Sequence, residues 1–209
     1  MLHYVYIIAS DDIAEKNAIE TLYQFLSVNP DYGLVVGGNK LIDSDSQLCF
    51  WDAEREIVYS EEEAFYTSFD DMLRKCRSNV DFLSDQFGTY QNLLIDSHIP
   101  NGYLIKRSIL DDFGVYSVIP PMEDLYMMLQ ISKRAKLKFL DTPLFRYRWH
   151  AGNTIKNHIK MYQIQRKTII NEFAYCVLNG YFAIWLKQTY IPDIKFYFKK
   201  VKQFLVKSS

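Results

Sequence analysis

His3-Tyr4-Val5-Tyr6-Ile7-Ile8-Ala9, followed by Ser10-Asp11-Asp12, is the stretch on which the fold turns. The first seven residues are apolar, β-branched or aromatic in a compact run, which reads as a buried strand. A helix follows from about Ile13 to Val28, with Ala18, Leu22, Phe25 and Leu26 at helical spacing on its inner face. Asn29-Pro30-Asp31 ends it, and Gly33-Leu34-Val35-Val36 opens a second strand that continues through Gly37-Gly38 towards Ile42. Strand, helix, strand is the signature of an α/β sheet with parallel strands.

Further along, residues 60–92 read as mostly helical. Tyr103-Leu104-Ile105 reads as a short strand, and Arg107 to Phe113 as a short helix closed by Gly114. Glu123 to Ala135 is a helix whose apolar surface is wide enough for near-complete burial. Leu137 to Leu140 and Leu144 to His150 read as two strands. In the second, Phe145, Tyr147 and Trp149 point one way and Arg146, Arg148 and His150 the other. From about Lys156 the sequence is helical again, which divides the chain into an α/β part, 1–155, and a helical tail, 156–209.

The 209 residues are enough to bury a core without disulfides or a structural metal. With 49% hydrophobic and 23% charged residues, disorder is excluded as the general state. The net charge of -1 conceals a division: residues 1–100 sum to -12 and residues 101–209 to +11. A basic second half either faces an anionic partner or neutralises the first half across an internal interface. No nucleic-acid partner is expected. Three widely spaced cysteines, Cys49, Cys76 and Cys176, fit a reducing compartment rather than a disulfide framework. The longest strongly apolar run, Phe173 to Leu186, is 14 residues, short of the roughly 20 that cross a bilayer.

Three constellations could carry chemistry. Asp11-Asp12 lies where a strand hands over to a helix, the place where open α/β sheets bind ligands, and paired carboxylates suit Mg²⁺ or Mn²⁺. Asp12-Ile13-Ala14-Glu15 equally fits a capping box, with Asp12 as N-cap and Glu15 reaching back. Glu123-Asp124 stands at the mouth of the buried helix, favoured there by the helix dipole and also placed to act as a general base. Arg146, Arg148 and His150, leading into Ala151-Gly152-Asn153-Thr154, make a cationic face. It suits a clamp on phosphate oxygens, or an edge strand charged against aggregation.

In this order and spacing, the pieces resemble family 2 glycosyltransferases, which have the GT-A fold. Tyr6 to Ile13 resembles the family's D-x-D region, and Asn101-Gly102-Tyr103-Leu104 through Phe113-Gly114 its strand and acceptor-side helix. Met122 to Leu129 resembles its glutamate–aspartate motif, and Thr142 to His150 with Asn153-Thr154 its closing strand and Y-R-x-H-x-x-N-x loop. The first aspartate of D-x-D falls at Ala9. The family's opening βα units, which bind the nucleoside, would stand before residue 4. The expectation is therefore a truncated GT-A domain, a mixed sheet flanked by helices with a C-terminal helical tail. Its first strand would have one edge open to a second chain that completes the sheet.

The resemblance implies an inverting sugar transfer from a nucleotide-sugar donor to a hydroxyl of a saccharide or lipid-linked acceptor, in surface polysaccharide synthesis. Asp124 would be the base, Glu123 would orient the acceptor, and Asp11 with Asp12 would hold Mg²⁺ or Mn²⁺. Arg148 and His150 would close over the donor diphosphate, and Asn101 and Gly102 would line the sugar pocket. The basic amphipathic stretch 193–207 would lie on a membrane, giving a cytoplasmic protein peripheral on the inner face. Two other classes compete: a non-catalytic interaction remnant of the fold, and a phosphoacceptor receiver using Asp11-Asp12, Asp52 and Lys106.

Overall fold

The computed structural model describes residues 3–77, 80–112, 122–153 and 158–190. Four early strands, β1 (Tyr4–Ile7), β2 (Ile13–Ala14), β3 (Tyr32–Ile42) and β4 (Leu48–Trp51), are followed by β5 (Ile57–Val58). Two more complete the sheet, β6 (Tyr103–Lys106) and the long β7 (Lys136–Arg148). Helix α1 (Ala18–Val28) joins β2 to β3, and α2 (Phe69–Cys76), α3 (Tyr90–Ile95), α4 (Arg107–Asp111) and α5 (Glu123–Ser132) follow. Helices α6 (His158–Ile170), α7 (Phe173–Leu178) and α8 (Phe182–Thr189) end the described chain.

The sheet is mixed. Its main path runs β1-β6-β3-β4-β5, with β7 beside β3 and the short β2 beside β7. Val35 pairs with Leu104 of β6 and with Lys138 of β7, so β6 and β7 lie on opposite edges of β3. Strand β6 is antiparallel to both β1 and β3. The first two principal strands thus point the same way, as the strand–helix–strand reading expects, with β6 lying between them. The parallel pairing that does exist is β3 with β7, from Tyr32↔Lys136 to Ile42↔Arg148. Register shifts at Gly37/Gly38 and Gly38/Asn39 absorb the bend that made β7 read as two strands. Among the described residues, β1's outer edge has no partner strand.

Alternation along β3 explains why Gly33-Leu34-Val35-Val36 is apolar throughout. Leu34 and Val36 join the larger core with Tyr103, Ile105 and the buried face of α5. Val35 joins Leu104 and Leu144 under Ala18, Leu22 and Leu26 of α1. Both faces are covered, so the strand has no solvent side to make polar. Ile169, Cys176 and Trp185 belong to the larger core as well, and helices α6 to α8 reach it through other helices, α6 against α5 and α8 against α3. The expected boundary at 155/156 and the stretch 193–207 lie outside the described residues.

Two local expectations fail for identifiable reasons. The first helix begins at Ala18, with Asn17 as an N-cap that makes no side-chain bond, because Ile13-Ala14 is drawn into pairing with Arg146 and Phe145 of β7. The capping box therefore does not form. Glu15 instead grips Arg146, Nε to Oε1 at 2.9 Å and Nη2 to Oε2 at 3.3 Å. Residues 60–92 hold a 3-10 turn at Glu61–Glu63, α2, and the start of α3, with less helix than their composition suggests.

Gly102 and Gly180 share a left-handed backbone, φ 73 and φ 80. A Cβ on Gly102 would stand 2.9 Å from Phe145, whereas one on Gly180 would meet nothing within 4 Å. Gly180→Ala should cost about 1–2 kcal/mol of backbone strain alone. Gly102→Ala should add overpacking, for about 2–5 kcal/mol in all. Urea midpoints of the two variants check the difference, and equal losses would contradict this packing.

Candidate functional site

One cleft of about 940 Å³ gathers residues from distant parts of the chain. Ala9 and Asp11 come from the loop after β1, Asn101 from the approach to β6, Glu123 and Asp124 from the first turn of α5, and His150 from just beyond β7. Five of the eight residues singled out in the sequence thus face a common space, at the ends of β1 and β7 and the beginning of α5.

The loop after β1 is held from across the sheet. Arg148 donates its backbone N–H to Asp12 Oδ1 at 2.9 Å and its Nε to the Asp11 carbonyl at 2.9 Å. Its Nη1 reaches the carbonyls of Asp43 and Ser44 and the Ser46 hydroxyl. Arg148 is therefore bound to the protein's own backbone and does not line the cleft, in contrast to the expected clamp on a ligand. Arg146, the other arginine of that face, is the one bound by Glu15.

His150 does face the cleft. The backbone N–H of Gly152 donates to its Nδ1 at 3.0 Å, so the ring proton sits on Nε2, which donates to Asp11 Oδ2 at 2.9 Å. Asn153 fixes this turn by accepting from the His150 N–H and donating to the Arg148 carbonyl at 3.1 Å. The spacing Arg148-x-His150-x-x-Asn153 is thus a self-bonded turn that presents one imidazole. Thr154 lies outside the described residues.

Asp11 and Asp12 separate in role. Asp12 is turned inward: Oδ1 takes the Arg148 N–H, and Oδ2 is a buried oxygen for which no hydrogen bond is formed among the described residues, as is the nearby Tyr6 hydroxyl. Burial pushes the Asp12 carboxyl up to about 6, with the Asp11 charge adding to the rise while the Arg148 N–H and Asn101 oppose it. Only Asp11 of the pair opens onto the cleft. Among the described residues no group of three or more His, Cys, Asp or Glu is arranged to hold a metal. Asp11 fits a hard cation only as a single protein carboxylate, the way Mg²⁺ is held when substrate phosphates and water supply most of its oxygens.

Helix α5 brings Glu123 and Asp124 to the same cleft. Neither carboxylate caps the helix, whose start is pinned instead by Met122 N–H donating to the buried Thr168 hydroxyl of α6 at 3.1 Å. Asp124 Oδ1 accepts from Leu125 N–H at 2.7 Å. Its carboxyl is open to the cleft yet surrounded by protein, and this desolvation raises its pKa, with the charge of Glu123 pushing the same way. Gly102 is buried against Phe145 and lies outside the lining, so the glycine serves the strand turn while Asn101 meets the space.

No signal in the sequence points to the aromatic wall. Tyr66, Phe69 and Tyr147 line the cleft, Phe69 and Tyr147 stacked at 4.7 Å with planes 16° apart, and Trp51 set edge-on behind them. Tyr147 shares its strand face with Phe145 and Trp149, as the alternation predicts, but alternation alone does not reveal that Tyr147 meets a cavity. Phe69 is positioned by Asp70 beside it. Asp70 is buried and accepts from Asn39 N, Asn39 Nδ2 and Ser68 Oγ, while Asn39 Oδ1 accepts from Phe69 N. The receiver constellation does not assemble: Asp52 closes the turn between β4 and β5, and Lys106 donates to the carbonyls of Asn29 and Pro30.

No protein-family model matches the chain, and no curated protein matches its sequence.

Asp12 carries a test of this geometry. A native carboxyl at about 6 against an ordinary 3.8 binds its proton more tightly folded than unfolded, so its contribution to stability falls as pH rises from 3.8 to about 6. Asp12→Asn keeps the acceptor for the Arg148 N–H and removes the charge. In EDTA it should melt about 3–6 °C above the parent chain at pH 7.5 and lose that advantage at pH 4. A pH-independent difference would contradict a buried, ionised Asp12.

Proposed function

We propose that the chain is a GT-A-like inverting glycosyltransferase domain that moves a sugar from a nucleotide-sugar donor to a hydroxyl of a saccharide or lipid-linked acceptor. One observation carries the reading. Asp11, Asn101, Glu123-Asp124 and His150, more than a hundred residues apart at the extremes, line one cleft in the arrangement that the resemblance calls for. The mixed α/β sheet, with those residues at the ends of its strands, supports it.

In this reading Asp124 takes the proton of the acceptor hydroxyl. The oxygen attacks the anomeric carbon from the face opposite the diphosphate, the carbon–oxygen bond to the diphosphate breaks, and configuration inverts. A carboxylate whose pKa is raised is a stronger base than an ordinary one, and that of Asp124 is raised by desolvation and by the charge of Glu123. Glu123, exposed beside it, orients the acceptor. His150, whose Nε2 donates to Asp11 Oδ2, orients that carboxylate beside the diphosphate, and Arg148 acts one step back by fixing the Asp11 loop. Asp11 would hold Mg²⁺ or Mn²⁺, which supplies charge neutralisation of the departing diphosphate. The Phe69–Tyr147 wall gives a flat apolar surface for the face of a base or a sugar ring.

The test is hydrolysis or transfer by the full chain over a panel of nucleotide sugars with Mn²⁺ or Mg²⁺. Asp124→Asn should lower turnover by roughly 10²–10⁴ while leaving donor binding within a few-fold. Because Asp124 works only when deprotonated, kcat/KM should fall as pH drops through a value above the ordinary 3.8 of a carboxylate. Full activity in Asp124→Asn removes that residue from the chemistry. Absence of nucleotide-sugar binding across the panel would favour the non-catalytic remnant.

A further inference from the structure

The turn between β4 and β5 brings to the cleft an arginine that belongs to no motif. Asp52 closes this turn: its Oδ1 accepts the Glu54 N–H at 3.0 Å and the Glu56 N–H at 2.9 Å, and its carbonyl accepts the Arg55 N–H at 3.2 Å. Within the turn Arg55 takes φ 67. A left-handed backbone is uncommon for a residue with a side chain, and glycine would adopt it without steric cost. The turn also sorts its charges. Glu54 and Glu56 are exposed and stand outside the cleft lining, whereas Arg55 between them is half-buried and lines it. Backbone strain thus coincides with a cation delivered into the cavity, the kind of position at which strain points to function.

The surroundings of Arg55 narrow its role. Tyr66, Phe69 and Tyr147 line the same cleft, with Phe69 and Tyr147 stacked. Burial raises the phenol pKa of both Tyr66 and Tyr147, and at both the Arg55 charge opposes the rise, so the guanidinium lies near the aromatic wall. The charges of Asp12 and Asp11 also act on Tyr147, which brings the arginine and the Asp11 loop to one tyrosine. Arg77, the other arginine of the lining, sits against Asp96, Nη2 to Oδ2 at 2.9 Å.

We propose that Arg55 is a phosphate-binding residue of this cleft, its planar guanidinium taking the oxygens of a ligand diphosphate while the Phe69–Tyr147 wall receives the group that the diphosphate carries. The assignment rests on the reading of the cleft as the site of a diphosphate-bearing ligand. It moves to Arg55 the role expected of Arg148, whose donors reach backbone carbonyls instead. Under that reading a diphosphate can arrive in two forms, on the nucleotide of the donor or on a lipid-linked acceptor.

The experiment is calorimetric titration of the full chain, Arg55→Gly and Arg55→Ala with UDP, GDP, dTDP and geranyl diphosphate in Mg²⁺, alongside melting temperatures. At least one diphosphate that the parent binds should bind Arg55→Gly roughly tenfold or more weakly, as expected for a lost charge-assisted pair. Loss with a nucleotide assigns Arg55 to the donor, and loss with geranyl diphosphate alone assigns it to the acceptor. Because glycine accepts φ 67, Arg55→Gly should melt above Arg55→Ala and no lower than the parent. Unchanged affinity for every diphosphate would overturn the assignment and leave the sugar-transfer reading standing. A parent chain that binds none of them would overturn both. Arg55→Gly melting several degrees below the parent would make the arginine a structural prop, and would overturn the assignment as well.

Discussion

Arg148 ties two separate loops to the end of β7: the loop after β1 through Asp11 and Asp12, and the turn after β3 through Asp43, Ser44 and Ser46. The long parallel pairing of β3 with β7 brings it there, since Ile42 is registered opposite Arg148. A guanidinium is suited to the task because its donors form a rigid fork that a lysine cannot reproduce. Loops are ordinarily the mobile part of a fold, and here one residue fixes the two loops that flank β7's end.

That anchorage shapes the cleft chemically as well as sterically. With the Asp11 carbonyl and the Asp12 carboxylate both committed to Arg148, the Asp11 carboxylate is the group left to face His150. The imidazole is aligned from its other side by Gly152 and the Asn153 turn. Thr168 of α6 holds the start of α5, and with it Glu123 and Asp124 elsewhere in the lining. The reacting groups of the proposed transfer are therefore supported by neighbours that themselves avoid the ligand, the arrangement that preorganised catalysis requires.

The central elements were legible because their signals were periodic. Tyr4 to Ile7, Leu34 to Val36 and the α5 face announced themselves by apolar spacing, and the alternation of Phe145, Tyr147 and Trp149 against Arg146, Arg148 and His150 reads true on the sheet. What the sequence concealed depends on contacts across long separations. Glu15 looks like a capping residue until Arg146, 131 positions away, claims it, and Ile13-Ala14 looks helical until β7 pairs with it. Arg148 has the composition of a phosphate ligand, and only the placement of Asp43 and Ser44 shows that backbone carbonyls take its donors. The aromatic wall was hidden for the same reason, since Phe69 and Tyr147 meet across 78 positions and the motif that holds Tyr147 does not point to Phe69.

The central claim is that the walls built by the β1 loop, α5 and the His150 turn form one ligand site with the chemistry of a nucleotide diphosphate. Backbone amide spectra of the full chain, titrated separately with UDP, GDP and dTDP in Mg²⁺, address it directly. The account predicts that at least one of them shifts the amides of Asp11, Asn101, Asp124 and Gly152 together, along a single saturation curve. Silence at these four positions with every nucleotide, or shifts confined to Tyr4, Tyr23 and Lys106 on the other side of the sheet, would contradict it.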